Sequence, residues 1–223
     1  MIVLKTWLPT LLTFGNLILG FLALMMLHTG FERIGLGLII LAMFLDGLDG
    51  RMARKLNVSG KIGKELDSLS DTLSFGVVPA YFLGITYLGM GIGYLIIPII
   101  FISMACYRVA VYNYQFEEGS SDNIFFGLPL PVAGIIAAFF STYQVVPIYV
   151  ITVLILVMSG LMVTSIPYPS LKNYRPKDSM QIVGTLIMTL LLSIFHFLTA
   201  ILFGLYIVLG VVNYLRNGTM VKK

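Results

Sequence analysis

Residues 46–71, DGLDGRMARKLNVSGKIGKELDSLSD, place four aspartates in a chain that is otherwise strongly apolar. Asp46 and Asp49 are three residues apart, and Asp67 and Asp71 are four residues apart. Residues at these spacings lie on one face of a helix, so each pair shares a face. The pattern predicts two antiparallel helices that present all four carboxylates to one point.

The overall composition indicates the solvent in which the chain folds. Hydrophobic residues make up 58% of the 223 residues and charged residues only 11%, whereas soluble domains carry about 25% charged residues. This composition predicts a membrane protein. We therefore attribute the net charge of +4 to basic cytoplasmic loops and anionic lipid, and expect no nucleic acid partner. Cys106, the single cysteine, has no disulfide partner within the chain, and we expect it to be a small buried apolar residue.

Apolar windows of roughly 20 residues predict membrane-spanning helices. We predict an all-α polytopic membrane protein, one domain over residues 1–223 with about eight transmembrane helices. The first window follows Lys5 as a secretory signal would, but no small-residue cleavage pattern comes after it, so we interpret it as a helix. The break between the last two windows rests on HFLTA alone. The predicted windows are 8–28, 33–54, 62–88, 92–114, 129–145, 147–166, 180–197 and 199–216.

The distribution of basic residues predicts the orientation. With the N-terminus inside, every Lys and Arg except Arg33 falls in a cytoplasmic segment or at a cytoplasmic helix end. We therefore expect a multi-pass protein of the cell membrane with both termini in the cytoplasm. Asp46 then lies about 20 Å from the outer boundary, in the cytoplasmic third of a hydrocarbon core about 30 Å thick. His28 and His196 fall at the outer boundaries, and we assign neither a chemical role.

Acidic residues inside a spanning helix cost about 2.5–3.5 kcal/mol each and usually mark function. Four bare carboxylates would repel one another, and oxygen ligands suit Mg²⁺ or Mn²⁺, which also bind phosphate. Glycines between the two pairs allow a close approach of backbone or ligand, and Arg54 offers a fork that suits phosphate oxygens. These glycines are Gly47, Gly50, Gly60 and Gly63.

An alternative is that the neighbouring basic residues simply pair with the acids in a cytoplasmic loop. The paired helical spacings and the flanking glycines favour the metal site. The basic residues are Arg51, Arg54, Lys55, Lys61 and Lys64.

The stretch resembles the signature of the CDP-alcohol phosphotransferase family, D-x2-D-G-x2-A-R-x8-G-x3-D-x3-D. The matching residues are Asp46, Asp49, Gly50, Ala53, Arg54, Gly63, Asp67 and Asp71. The resemblance implies a dimeric helical membrane enzyme that transfers a group from a CDP-linked lipid to an alcohol and releases CMP. It also implies that Asp46, Asp49, Asp67 and Asp71 hold two divalent cations, Mg²⁺ or Mn²⁺, and that Asp71 acts as the catalytic base.

Other segments are similar to bacterial and archaeal phosphatidylserine synthases: DSLSDTLSFGVVPA (67–80), FFGLPLPVAG (125–134) and LMVTSIPYPSLK (161–172). This likeness implies CDP-diacylglycerol, or an ether-linked equivalent, and L-serine as substrates. LPTLLTFGNLILG (8–20) resembles the first helix of those enzymes. The expected nucleotide-lipid contacts are Thr13, Asn16, Gly50, Arg54, Ser59 and Gly60.

The chain departs from those synthases at two positions. Their pattern L-R-L-A-R-F-N appears here as YRVAVYN (107–113), so that Val111 replaces the second arginine. Gly60 stands where they carry Ser or Thr, with Ser59 next to it.

The serine carboxylate needs a cation, and we expect Arg108 to supply it, because this arginine lies in the cytoplasmic part of an otherwise apolar helix. Asn113 is a second candidate contact. The alternatives are that Arg108 extends to the membrane interface and that Asn113 only ends the helix.

Two other functions compete with serine transfer. A sibling enzyme would use glycerol 3-phosphate or inositol phosphate, but a phosphorylated acceptor needs more cations than Arg108, Lys172 and Arg175 provide. A cation transporter would place carboxylates near the midplane in related halves, yet residues 180–223 carry no acid. The balance of charges favours serine.

Overall fold

The fold is that of a computed structural model, which describes residues 2–56, 58, 60–117, 125–168, 192 and 194–217. The first half forms α1, α2, α3, a π-helical turn and α4, and the second half α5 to α8. The bounds are α1 Ile2–His28, α2 Glu32–Leu56, α3 Lys61–Asp71, the π-turn Thr72–Val77, α4 Val78–Leu88, a 3₁₀ turn Ile92–Leu95, α5 Ile96–Glu117, β1 Phe125–Phe126, α6 Leu130–Tyr143, α7 Ile148–Met162, β2 Pro167–Tyr168 and α8 His196–Asn217.

Two long helices, α1 and α2, form a hairpin at the start of the chain. Gly30, with φ +82°, makes the turn between them, a left-handed conformation that glycine adopts without steric cost. Gly35 of α2 lies so close to α1 that a Cβ atom there would come within 3.0 Å of the Ala23 carbonyl oxygen. Because of this close packing, α1 runs alongside α2, whose C-terminal half carries Asp46 and Asp49.

The π-turn lies between α3 and α4, so that residues 61–88 form one continuous helical segment. The predicted window 62–88 is therefore confirmed as a single helical stretch. The windows 8–28, 33–54 and 92–114 are confirmed as helical, with ends that differ from α1, α2 and α5 by up to six residues. α6 and α7 are shorter than predicted, because Pro129 and Pro147 precede their first residues and Gln144, at φ 46°, ends α6.

The start of the last helix differs from the prediction. The break expected at residue 198 lies at Phe195, and α8 begins at His196. The Phe195 carbonyl accepts the Leu198 amide at 3.0 Å, and the Thr199 hydroxyl reaches back to Leu192 O at 2.8 Å. These local bonds start the helix earlier than the apolar pattern indicated. The rest of the predicted seventh window lies outside the described residues.

Three described helical stretches are long and apolar enough to cross a membrane: Trp7–His28, Ile92–Tyr114 and His196–Arg216. α6 and α7 are shorter apolar helices. Apart from the two-residue strands β1 and β2, which pair antiparallel, the described part of the chain is helical and irregular. The structure is therefore that of an essentially all-helical membrane protein.

The buried face of α5 shows where the prediction for Cys106 is wrong. Phe101, Ala105 and Arg108 are buried, whereas Cys106 and Tyr107 are exposed. Buried residues recur here every three to four positions, so α5 presents one face to the core, and Cys106 lies off that face. Because α5 is apolar on all sides, the sequence alone did not indicate which face is buried.

An aromatic cluster occupies the end of α2 that lies opposite the aspartates. The Tyr143 hydroxyl lies 2.7 Å from His196 Nδ1, and the Arg33 guanidinium is 5.5 Å from the centre of the Tyr143 ring. At 1.5 Å rise per residue, Arg33 is about 24 Å along α2 from Asp49. His196 therefore belongs to a contact remote from the acids, as the sequence indicated.

Candidate metal centre

The carboxylates of the 46–71 stretch converge as their spacing predicts. Asp46, Asp49 and Asp67 each offer a carboxylate oxygen, and these three atoms lie within 4.8 Å of one another. Asp49 is only 3% exposed, and Asp46 and Asp67 are half-buried. Oxygen ligands from a few carboxylates are the set that Mg²⁺ and Mn²⁺ prefer. This triad can therefore hold a divalent metal ion.

Asp71 lies beside the triad, at the point where α3 passes into the π-turn. It interacts electrostatically with Asp46, Asp67 and Asp49. Its Oδ1 accepts a hydrogen bond from Asn16 Nδ2 at 3.1 Å. The structure thus brings the fourth acid to the cluster one helical turn beyond Asp67, at the last residue of α3.

The first helix contributes two polar side chains, Thr13 and Asn16, to the cluster. The Thr13 hydroxyl donates to Asp49 Oδ2 at 2.6 Å. Asn16 is fully buried, donates to Asp71 and keeps its Oδ1 without a hydrogen-bond partner. The structure therefore places both residues against the clustered carboxylates. The orphan Asn16 oxygen is a buried acceptor at the edge of the acid cluster, which fits a cation or a ligand donor bound there.

The π-turn is held by close contacts with α1 and α6. Ser74 Oγ donates to the Asn16 carbonyl oxygen at 3.2 Å. A Cβ atom on Gly20 would come within 2.9 Å of Ser74 Cβ, and one on Gly134 within 3.0 Å of Phe75 Cα. π-helical turns occur frequently at functional sites. The glycines let α1 and α6 approach the turn closely enough to hold Asp71 in place.

Sequence reasoning missed Ser74 and the π-turn. The only signal was a polar residue in the apolar run that follows Asp71, and an α-helical pattern does not indicate a π-turn.

Three glycines of the 46–71 stretch face open space. A Cβ atom on Gly47, Gly60 or Gly63 would meet no atom of the described residues within 4 Å. Packing within the chain therefore does not require glycine at these positions, which fits the expectation that a ligand approaches there. Gly50 lies next to the exposed Arg54, whose Nη1 would be 3.5 Å from a Cβ atom at that position. Ser59 lies outside the described residues.

Asn113 contacts α3 next to the acid cluster. Its amide donates to Ser68 Oγ at 2.9 Å, and the Asn113 carbonyl oxygen accepts from Lys64 Nζ at 3.2 Å. Ser68 follows Asp67 directly, so this contact ties α5 to α3 close to one of the clustered acids. The role of Ser68 was not anticipated.

Arg108 lies on a different face of α5. It is 7% exposed, its Nε has no hydrogen-bond partner, and its guanidinium carbon is 5.7 Å from the centre of the Tyr112 ring. It lines a cavity of about 260 Å³ together with residues of α5 and of the chain around the end of α7. Asn113 is not among the residues that line this cavity. The lining residues are Tyr107, Arg108, Val111, Met162, Val163, Thr164 and Ser165.

Comparison with known proteins identifies the architecture around the acids. A family model described as CDP-alcohol phosphatidyltransferase matches residues 6–214. The chain belongs to the CDP-alcohol phosphatidyltransferase family. This assignment makes it a transferase and agrees with the acidic motif, because enzymes of this family generally depend on divalent metal ions.

Relatives within this family carry names that specify an acceptor. A Methanocaldococcus jannaschii protein named CDP-diacylglycerol–serine O-phosphatidyltransferase is 32% identical over 92% of this chain and 92% of its own length. A Helicobacter pylori protein with the same name is 27% identical over 93% of this chain and 90% of its own. The archaetidylserine synthase of Methanothermobacter thermautotrophicus is 34% identical over 73% of this chain and 69% of its own.

Proposed function

We propose that this phosphatidyltransferase moves a phosphatidyl group from CDP-diacylglycerol, or its ether-linked equivalent, to the hydroxyl of L-serine and releases CMP. The observation that carries the proposal is the triad of Asp46, Asp49 and Asp67, whose oxygens lie within 4.8 Å of one another. The names of the relatives support serine as the acceptor.

The acids would hold two divalent cations, Mg²⁺ or Mn²⁺. When bound, such cations clamp the pyrophosphate and offset the negative charge that develops on departing CMP. Asp46, Asp49, Asp67 and Asp71 are the proposed ligands. We also propose that Thr13 and Asn16 contact the nucleotide lipid, in addition to their hydrogen bonds to Asp49 and Asp71. Asn16 Oδ1, which has no hydrogen-bond partner, is the atom of Asn16 that could accept from the lipid. The other proposed contacts with the nucleotide lipid are Gly50, Arg54, Ser59 and Gly60.

Asp71 is the proposed general base. The serine oxygen forms a bond to the β-phosphorus, which carries the diacylglycerol, while its proton passes to the Asp71 carboxylate. The bond from the β-phosphorus to the oxygen that bridges the two phosphates breaks, and CMP departs with that oxygen and its electron pair. Phosphoryl transfer depends mainly on positioning and electrostatic stabilisation. The Asn16 hydrogen bond at 3.1 Å fixes the orientation of the base.

Arg108 and Asn113 are the proposed contacts with serine. Arg108 has the buried, unsatisfied Nε that a carboxylate would pair with. The bonds of Asn113 to Ser68 give it a second task, that of holding α5 against α3.

The proposed setting is a homodimer in the cell membrane. About eight helices span the bilayer, and both termini and the acid cluster face the cytoplasm, as the basic residues indicate. Chemical cross-linking of the protein in membranes, followed by separation by mass, tests the dimer.

The experiment that tests the function is acceptor competition. Membranes that contain the protein are incubated with CDP-diacylglycerol and with radiolabelled serine, glycerol 3-phosphate or inositol phosphate. We expect label from serine alone to enter lipid, with stoichiometric release of CMP. Incorporation of another acceptor in preference to serine would refute the proposal. An ether-linked CDP-lipid in a parallel incubation separates archaetidylserine synthesis from phosphatidylserine synthesis.

A further inference from the structure

The hairpin of α1 and α2 brings a tryptophan and a lysine to one level beyond the acid cluster. Thr13 of α1 bonds to Asp49 of α2. Trp7 on α1 and Lys55 on α2 each lie six residues beyond these partners, towards the same end of the antiparallel hairpin. At 1.5 Å rise per residue, both residues are about 9 Å from the level of the Thr13–Asp49 bond.

The start of α3 reaches the same level. Asn16 of α1 bonds to Asp71, the last residue of α3. One turn further along α1, Gly20 packs against the π-turn that follows α3, so the two helices run in the same direction. Lys61 is ten residues before Asp71 and Trp7 nine before Asn16, which corresponds to about 15 Å and 14 Å along the two helices. Lys61 is therefore close to the level of Trp7.

The side chains at this level face outwards. Lys55 and Lys61 are exposed, and so are Trp7 and Ile62, by 58% and 85% of their surface. Basic side chains beside exposed aromatic and aliphatic ones are typical of a segment that lies at a membrane surface. We call these four residues the basic surface: Trp7, Lys55, Lys61 and Ile62.

The charge around the basic surface is strongly positive. Residues 50–64 contain five basic residues and no acidic residue. Glu65, one turn after Lys61 on α3, is exposed and offsets one of these charges. The remaining excess of positive charge suits an anionic partner. The basic residues are Arg51, Arg54, Lys55, Lys61 and Lys64.

The depth of the basic surface places it at the lipid headgroups. From the sequence, Asp46 lies about 20 Å from the outer boundary of a hydrocarbon core about 30 Å thick. Lys55 follows nine residues later on the same helix, about 14 Å further along. It therefore lies just beyond the hydrocarbon, on the acid-bearing side. Basic residues at this depth attract anionic lipids, by about fivefold for each charge.

We propose that the basic surface binds anionic phospholipids of the leaflet on the acid-bearing side, with the ammonium groups of Lys55 and Lys61 donating to headgroup phosphate oxygens. Trp7 and Ile62 insert beside the headgroups and keep the lysines at the membrane surface. A zwitterionic lipid carries the same phosphate, but its own cationic group offsets the charge, so the surface selects lipids with a net negative charge. Soluble phosphate gains nothing from the apolar side chains.

Trp7 gives a direct readout of the lipids at this surface, because it is the only tryptophan of the chain. The purified full-length protein is reconstituted into phosphatidylcholine vesicles that contain increasing fractions of brominated phosphatidylglycerol or of brominated phosphatidylcholine. Bromine quenches tryptophan fluorescence at short range. We expect the brominated phosphatidylglycerol to reach half-maximal quenching at a mole fraction lower by about tenfold or more, which measures the preference for anionic lipid.

Variants of the two lysines test their contribution. Lys55→Gln and Lys61→Gln should each lower the preference several-fold, and the double variant should bring it close to unity. The double variant Lys55→Arg with Lys61→Arg retains both charges and should retain the preference. Quenching by brominated phosphatidylcholine should be the same in all variants, which shows that α1 keeps its place in the bilayer.

Arg216→Gln is the matched control. It removes one exposed basic charge near the end of α8, a helix that packs on α6 and β2. We expect this variant to keep the full preference for anionic lipid.

Salt separates a lipid headgroup from soluble phosphate as the ligand. Sodium chloride should reduce the preference by screening, and sodium phosphate at the same ionic strength should reduce it equally. A stronger effect of phosphate would show that the lysines bind soluble phosphate, which overturns the proposal. Equal quenching by the two lipids in the unaltered protein would also overturn it. So would a preference that persists in the double glutamine variant or is lost in the double arginine variant, since the charges of Lys55 and Lys61 would then not select the lipid.

Discussion

Replacing Thr13 with valine should weaken metal binding more than it weakens nucleotide-lipid binding. Valine matches threonine in shape, so the packing of α1 is retained and only the hydroxyl is lost. That hydroxyl lies 2.6 Å from Asp49 Oδ2, and the two side chains are 4% and 3% exposed. The bond therefore joins a buried donor to a buried charge.

The magnitude follows from the kind of bond. Loss of a hydrogen bond to a charged group costs about 1.5–3 kcal/mol, which corresponds to roughly tenfold to a hundredfold in an equilibrium constant. Groups that orient metal ligands show the same range, about 10–100-fold in metal affinity or activity. We expect the Mn²⁺ concentration for half-maximal activity to rise by this factor in Thr13→Val.

The assay is CMP release by purified protein, with Mn²⁺ titrated at saturating CDP-diacylglycerol and the lipid titrated at saturating Mn²⁺. Thr29→Val is the matched control, because this threonine of the α1–α2 turn bonds only to carbonyl oxygens of Met25 and Met26 in α1. An unchanged Mn²⁺ requirement with a raised KM for the CDP-lipid would refute the reasoning. It would show that Thr13 acts chiefly on the nucleotide.

Three further predictions concern the acids, the π-turn and the topology. EDTA should abolish activity, and Mn²⁺ or Mg²⁺ should restore it. Correctly inserted protein should lose turnover on each of three substitutions: Asp46→Asn, Asp67→Asn and Asp71→Asn. Full activity in any of these variants would contradict a binuclear centre. Gly134→Ala places a Cβ atom against the Phe75 backbone and should lower kcat at least tenfold with little change in KM, whereas Gly84→Ala, which meets no atom within 4 Å, should not. In a Cys106→Ala background, a cysteine at position 174 should react with an impermeant reagent only after the membrane is opened, and labelling in intact cells would disprove the proposed orientation.

The sequence by itself determined the class of protein and the pairing of the acids. A low share of charged residues identifies a membrane protein whatever the arrangement of its helices. The spacings of three and four residues put Asp46 with Asp49 and Asp67 with Asp71, because helical geometry relates residues this close along the chain. The signature of the CDP-alcohol phosphatidyltransferases is equally local, since all its members lie within residues 46–71.

Only the tertiary structure decided which distant side chains meet the acids. Thr13 is 36 residues from Asp49, and Asn16 is 55 residues from Asp71, so no periodicity of the sequence relates them. The same holds for α5, which is apolar all round. Its packing against other helices exposes Cys106, buries Arg108 beside Thr164 and turns Asn113 towards Ser68. In an apolar helix the hydrophobic pattern marks no inner face, so the contacts with neighbouring helices determine which side chains reach the site.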